Sequence, residues 1–237
     1  MIDGESVLAV VPARGGSSGI PKKNLERIGG RSLVERAIDV ADVTPAIDRT
    51  VVSTDSDEIA RVARIAGAEI HDRPPGLARD DSLVIDTLRH VLDEFTAGGP
   101  PTYLVMLEPT CPFRSTDDVS RCLGVLAEGY DSVATFRPAE VNPHRTWRVD
   151  DGTPEPFVRD ADPWLPRQAL PEAYQLNGGV YAFRAAELPE SGHSLLFGET
   201  GAVVMPEERS LDIDTELDLE LARLLVANAT LSADEHE

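Results

Sequence analysis

Between Arg14 and Asn24 the chain reads RGGSSGIPKKN. Arg14–Lys23 holds three cations (Arg14, Lys22, Lys23), no acid, and Gly15, Gly16 and Gly19. Glycines let backbone N–H groups come close to an oxyanion, and the cations neutralise it. The predicted chemistry is phosphate binding. The spacing is neither GxxxxGK[ST] nor GxGxxG, so neither the P-loop nor the dinucleotide fingerprint applies. The alternative is a glycine-rich turn with incidental charge. Lys22 and Lys23 are the only lysines among 22 basic residues, so lysine is confined to this one loop.

A second constellation is Asp212-Ile213-Asp214. In an extended segment, residues i and i+2 share a face, so both carboxylates point one way and Ile213 the other. Two hard oxygen donors beside phosphates suit Mg²⁺. The alternative is a group of acids ahead of a helix expected from Thr215, where negative charge favours the helix dipole. The residues alone leave both readings open. The five histidines show no metal-ligand spacing, and His144 reads as a loop residue.

These residues need positioning elements, and the apolar pattern supplies them. Ser6–Ala13 (SVLAVVPA) reads as a strand buried on both faces. Further strands are expected at Thr50–Ser53, Glu69–His71, Tyr103–Leu107, Ser132–Phe136, Gly178–Phe183 and near Ala202–Met205. Helical spacing marks Ser32–Val43, Asp57–Ala66, Leu83–Phe95, Thr116–Ala127 and Thr215 to about Ala227. The alternation predicts an α/β fold, a mainly parallel sheet with right-handed crossovers and helices on both faces. In such sheets ligands bind beyond the carboxyl ends of the strands, here after Ala13, Ser53, Leu107 and Phe136. Pro138–Pro171 interrupts the rhythm with seven of the 18 prolines and both tryptophans, Trp147 and Trp164. It reads as an inserted lobe, either an irregular surface excursion or a partner-binding surface with aromatic anchors. Residues 1–227 thus form one domain, followed by a polar tail at 228–237 expected to fray.

Composition narrows the partners. The chain has 237 residues, 22 basic and 42 acidic, for a net charge of −20. Nucleic acid and anionic membranes require a basic footprint, so both are excluded as main partners. No apolar run approaches the ~20 residues that span a bilayer, and the first run follows Asp3 and Glu5 rather than a basic leader. Cys111 and Cys122 are the only cysteines, which fits a reducing, cytoplasmic setting.

The loop VPARGGSSGIPKKN, Val11–Asn24, resembles the signature loop of the N-acylneuraminate cytidylyltransferases, or CMP-sialic acid synthetases. The resemblance continues in order through VSTD (Val52–Asp55), RP and RDDS within Arg73–Ser82, LEPTCPFR (Leu107–Arg114) and YDSV (Tyr130–Val133). It then takes in PRQ (Pro166–Gln168), NGGVYAF (Asn177–Phe183) and LDIDTELDLE (Leu211–Glu220), so it spans roughly Val7–Leu225. The loop and the DIDT motif together are specific for enzymes that activate ulosonic acids, less so for which acid. The family implies a Rossmann-like nucleotidyltransferase fold, a homodimer joined by the inserted lobe, and Mg²⁺-dependent transfer of CMP from CTP. The acceptor would be the 2-hydroxyl of a nonulosonic, acidic sugar, with pyrophosphate released.

By resemblance, Arg14, Lys23, Asp212 and Asp214 form the catalytic set, and Asp212 and Asp214 hold the metal. Ala13, Arg14, Gly15, Gly16, Ser17, Asn24, Arg73, Asp81 and Ser82 bind the nucleotide, although Asp81-Ser82 equally suits a helix cap. Glu108, Arg145, Arg167, Gln168, Asn177 and Gly178 face the acid. An Arg167 guanidinium suits a carboxylate in bidentate fashion. Arg145 falls near a position donated across the dimer; the alternative is a solvated loop charge. The chain departs from the pattern at Ser18 and Glu108, where relatives often carry Lys and Gln, and at Cys111, usually Ser. Ser18 removes one phosphate cation unless Lys22 replaces it. Glu108 motivates a second reading, an octulosonic acid or a phosphonate as acceptor. A nucleotide-binding protein without turnover is the third.

Overall fold

The computed structural model describes residues 4–17, 19–95 and 99–234, with 229–234 as backbone only. The elements run β1 (Val7–Pro12), β2 (Arg27–Ile28), β3 (Arg31–Ser32), α1 (Leu33–Val43), β4 (Arg49–Thr54), α2 (Asp57–Ile65) and β5 (Glu69–Asp72). There follow α3 (Val84–Glu94), β6 (Tyr103–Met106), α4 (Thr116–Ala127), β7 (Ser132–Pro138), β8 (Trp147–Asp150), β9 (Thr153–Pro156), β10 (Tyr174–Arg184), β11 (Thr200–Val204) and α5 (Glu216–Asp234).

Seven strands make one sheet in the order β11-β7-β10-β6-β1-β4-β5. Only β10 runs against its neighbours, β6 and β7; the other pairings are parallel. The expected mainly parallel α/β sheet is the observed architecture. Its two faces are read directly from β1. Val7, Ala9 and Val11 pack beneath α1, α2 and α4, while Leu8 and Val10 pack with Leu88 and Val91 of α3. This is why β1 is apolar at every position: each face of the sheet is covered. The helix starts are fixed locally. Ser32 with Glu35, and Ser115 with Asp118, form reciprocal capping boxes at α1 and α4.

A third apolar cluster serves the site. Ile20 from the basic loop, Ile28, Leu33, Ile213, and Leu219 and Ala222 of α5 are buried together. Ile213 therefore turns to the core, as the alternating pattern predicts, and its packing ties the basic loop to the Asp212–Asp214 segment.

The region 138–171 departs from the strand–helix alternation, as its prolines predict. It contains the β8–β9 hairpin, exposed along its whole length, and the Trp147 and Trp164 rings lie 6.0 Å apart. The expected tail is corrected: α5 continues past Ala227 to Asp234, because ANATLSAD still contains good helix formers and no Gly or Pro. Residues 235–237 lie outside the described part. Among the described residues, no helix is long and apolar enough to cross a membrane.

Candidate active site

A cavity of about 460 Å³ opens where the parallel strands end. Its walls come from Pro12, Arg14 and Gly16 after β1, Arg73 after β5, and Glu108–Thr110 after β6. Lys23, Asn24 and Asp214, and Thr87 of α3, also line it. This is the carboxyl edge at which open α/β sheets place ligands.

The basic loop is held from below. Asn24 donates from Nδ2 to the Arg14 carbonyl at 2.9 Å, and the Gly15 N–H donates to Asp55 Oδ1 at 2.7 Å. A Cβ at Gly19 would lie 2.4 Å from the Asp214 carbonyl oxygen, so only glycine allows this approach. Lys23 Nζ donates to the Ile213 carbonyl at 2.9 Å and pairs with Asp214 at 3.0 Å. Arg14 pairs with Asp80 at 2.6 Å. Two cavity cations thus have acidic partners that an incoming polyanion can displace.

Lys22 has a different fate. It adopts φ 52°, pairs with Glu58 at 2.6 Å, and does not line the cavity. The idea that Lys22 stands in for a cation at position 18 is corrected by this orientation. Ser18 itself lies outside the described residues.

Arg73 is buried, and burial lowers its pKa to about 10, which leaves it charged at neutral pH. Its guanidinium is fixed by Ser53: Nε donates to the hydroxyl at 3.0 Å and Nη2 to the carbonyl at 2.9 Å.

The acidic side is equally constrained. Burial pushes Glu108 up to about 7, and the nearby Asp212 carboxylate adds to the shift. Asp212 is also raised, first by burial and then by Asp214, against a hydrogen bond from Thr110. Asp212 Oδ1 is buried without a hydrogen-bond partner. Asp212 and Asp214 lie just ahead of α5, where the helix dipole favours acids, but they do not cap it. Thr215 and Asp218 exchange the capping hydrogen bonds at the start of α5, at 2.8 and 3.3 Å, leaving Asp212 free of that role. An orphaned buried carboxylate oxygen beside a second carboxylate is a donor set that fits a hard divalent cation.

β10 brings a further group to this edge because it is antiparallel: its N-terminal half lies beyond the carboxyl end of β6. At Gly178, φ is +67° and a Cβ would sit 3.0 Å from Glu108 Oε2. Asn177 behaves differently from its expected contact with an acid. Its buried amide accepts from Thr135 Oγ1 at 2.7 Å and donates to Ser210 Oγ at 3.0 Å, bracing the segment that leads to Asp212.

A family model for cytidylyltransferases matches residues 8–228. The chain belongs to the cytidylyltransferase family. Among the curated relatives of this cytidylyltransferase is a CMP-N,N'-diacetyllegionaminic acid synthase of Campylobacter jejuni subsp. jejuni, 31% identical over 95% of this chain and 97% of that one. Post-translational flagellin modification protein B of Campylobacter coli is 30% identical over 96% of this chain and 97% of its own. The N-acylneuraminate cytidylyltransferase B of Danio rerio is 30% identical over 90% of this chain, which spans only half of that longer protein. A solved CMP:2-keto-3-deoxy-manno-octonic acid synthetase complexed with CTP shares the fold, with a TM-score of 0.70 at 19% identity, covering 94% of this chain and 99% of that one.

The cytidylyltransferase brings Arg14, Gly16, Ser17, Lys23, Asn24, Arg73, Ser82, Glu108 and Asp214 to one cavity. Ala13 and Gly15 do not line it. Asp81 pairs with Arg79 at 3.1 Å and does not line it, whereas Asp80 does. Ser82 is no helix cap; its hydroxyl closes the preceding loop by accepting from the Arg79 N–H at 3.1 Å and donating to the Gly76 carbonyl at 3.0 Å. Arg145 and Arg167 line a separate cavity of about 500 Å³ in the inserted lobe, and Gln168 is exposed outside both. Sequence reading missed Thr87, whose buried Oγ1 has no hydrogen-bond partner at the cavity wall, and Thr110. Thr87 reads as an ordinary helical residue, and no local signal marks it.

Proposed function

We propose that this cytidylyltransferase transfers CMP from CTP to the 2-hydroxyl of a nonulosonic, sialic-type acid and releases pyrophosphate. The observation that carries the reading is the juxtaposition of Arg14, Lys23 and Arg73 with Asp214 and Glu108 around one cavity at the strand ends. Phosphoryl transfer needs positioning and charge neutralisation more than covalent chemistry, and this cavity supplies both. Arg14 and Lys23 hold the triphosphate after exchanging their carboxylate partners for phosphate oxygens. Buried Arg73 and the unpartnered Thr87 hydroxyl offer donors to the nucleotide's neutral or charged edges. Asp212 and Asp214 would hold Mg²⁺, which when bound offsets charge developing on the phosphate oxygens. Glu108, pushed up to about 7, is partly protonated at neutral pH, so it can donate to an acceptor oxygen rather than repel an acidic sugar.

Arg145 and Arg167 lie in the lobe cavity, and we assign them to the acid's carboxylate across a homodimer. Exposed Val141, Phe157, Trp164 and Leu176 support such an interface. Sedimentation checks it: a dimer is expected, with Trp164→Ala shifted toward monomer. A monomeric wild type overturns the dimer. Cys111 and Cys122 are free and buried, in keeping with a cytoplasmic setting.

The test of function is incubation with CTP, Mg²⁺ and a panel of eight- and nine-carbon ulosonic acids and phosphonates, measuring pyrophosphate. Release with a nine-carbon acid is expected. Release only with an octulosonic acid or phosphonate selects the second reading, which Glu108 motivates. CTP binding without release on any acceptor leaves a binding protein.

A further inference from the structure

The histidines show no ligand spacing along the chain, yet folding brings two of them together with an acid. His71 of β5 and His90 of α3 meet with Nε2 and Nδ1 2.8 Å apart. Glu94, one helical turn beyond His90, places its carboxylate 3.6 Å from His71 Nε2 and 3.7 Å from His90 Nδ1. All three donors lie within 4.8 Å of one another. We propose that His71 Nε2, His90 Nδ1 and the Glu94 carboxylate form a binding site for a borderline divalent metal of the Zn²⁺ class, distinct from the Asp212–Asp214 site.

Four features carry this. Two imidazoles and one carboxylate are a ligand set preferred by Zn²⁺ and its neighbours, not by Mg²⁺, which takes oxygen ligands. The donors sit on a strand of the central sheet and on a helix covering that sheet, where His71 meets the His90 and Phe95 rings at 4.9 and 6.3 Å, so the site is built on regular elements. His71 is fully buried and its other nitrogen is already oriented: Nδ1 lies 2.8 Å from Ser53 Oγ, which in turn accepts from Arg73 Nε. That is the outer partner a ligating histidine uses to fix its tautomer and ring angle. Finally, the His90 and Glu94 side chains are 36% and 50% exposed, which gives the ion an entry path and leaves water to complete its coordination.

The proton balance is simple. Without metal, one of the two rings donates to the other. With metal, His71 carries its proton on Nδ1 and donates to Ser53, and His90 carries its proton on Nε2 toward solvent. Both nitrogens then offer lone pairs with no net proton released. An ion with bonds of ~2.0–2.1 Å holds its ligands roughly 3.2–4.2 Å apart, a span that small rotations of exposed His90 and Glu94 reach. Because Ser53 also grips Arg73 in the nucleotide cavity, the metal and the nucleotide share one hydrogen-bonded chain.

The test does not depend on the enzymatic reading. The chelator-stripped full chain is titrated with Zn²⁺ in excess Mg²⁺ by calorimetry, and with Co²⁺ while its visible absorption is followed. One equivalent is expected, bound at micromolar affinity or tighter, with a Co²⁺ spectrum of low coordination number. His90→Ala and Glu94→Gln lie at the surface, so the fold should survive; each is expected to weaken Zn²⁺ binding at least tenfold. Ser53→Ala is expected to weaken it about tenfold. Absence of stoichiometric Zn²⁺ binding by the wild type, or wild-type affinity in both surface variants, overturns the site.

Discussion

Two cavities among the described residues are of similar size, about 460 Å³ at the strand ends and about 500 Å³ in the inserted lobe. Both are lined by arginine. They differ in what holds the charges. At the strand ends, Arg73 is buried and clamped by Ser53, and Lys23 is tied to Ile213, itself locked in an apolar cluster. In the lobe, the Arg145 guanidinium donates to the Leu165 carbonyl at 2.7 Å, on an exposed loop. Preorganised charge suits a transition state, since it needs no rearrangement during reaction; adjustable charge suits a substrate or partner that arrives late. The same residue type is therefore held rigidly in one cavity and loosely in the other.

Several variants would break or sharpen that contrast. The largest effect is expected at the acidic pair. Asp212→Asn or Asp214→Asn should lower turnover by about 10³-fold, with circular dichroism unchanged; Mg²⁺-dependent pyrophosphate release retained by both variants would remove them from the chemistry. Next, Lys23→Met should cost about 10²-fold in kcat/KM, and a near-normal CTP KM would show that Arg14 suffices. Third, Arg167→Ala should raise the acid's KM by about 10–100-fold while leaving CTP affinity unchanged. Equal losses for CTP and acid would erase the distinction between the two cavities.

The most diagnostic effect is read on stability rather than rate and concerns Glu108 and pH. Its folded pKa, about 7, lies above the usual carboxylate value of 4.5. Between those values the folded state binds the proton more tightly than the unfolded one, so stability is fully present below pH 4.5 and is lost as pH rises through 7. The shift corresponds to about 3 kcal/mol for this buried group. In a chelator, urea titrations of Glu108→Gln should lack that decline. A wild type equally stable at pH 5 and pH 7.5 would argue against the burial of a charge.

Much of this was legible in the chain. The apolar run of β1, the helical spacing of α1 and α4, and the glycine-rich cationic loop are local patterns, and each formed where its residues indicate. What stayed illegible is equally physical. Lys22 and Lys23 are adjacent and chemically alike, yet one faces Glu58 and the other Asp214, because a left-handed backbone at Lys22 turns them apart. Asn177 looked like a ligand-facing polar residue, but the β10 irregularity between Leu176 and Tyr181 turns its amide inward. His71 and His90 carried no spacing signal because their meeting depends on how α3 crosses the sheet.

The sequence by itself determined the alternation of strands and helices, the glycine-rich cationic loop, the acidic pair and the family, since these depend on periodicity and residue type. Tertiary structure alone decided which of two neighbouring lysines enters the cavity, that Glu108 becomes a weak acid, that the lobe arginines stand apart, and that His71, His90 and Glu94 converge. Those outcomes depend on burial and on contacts between distant segments, and neither is written in any local stretch of chain.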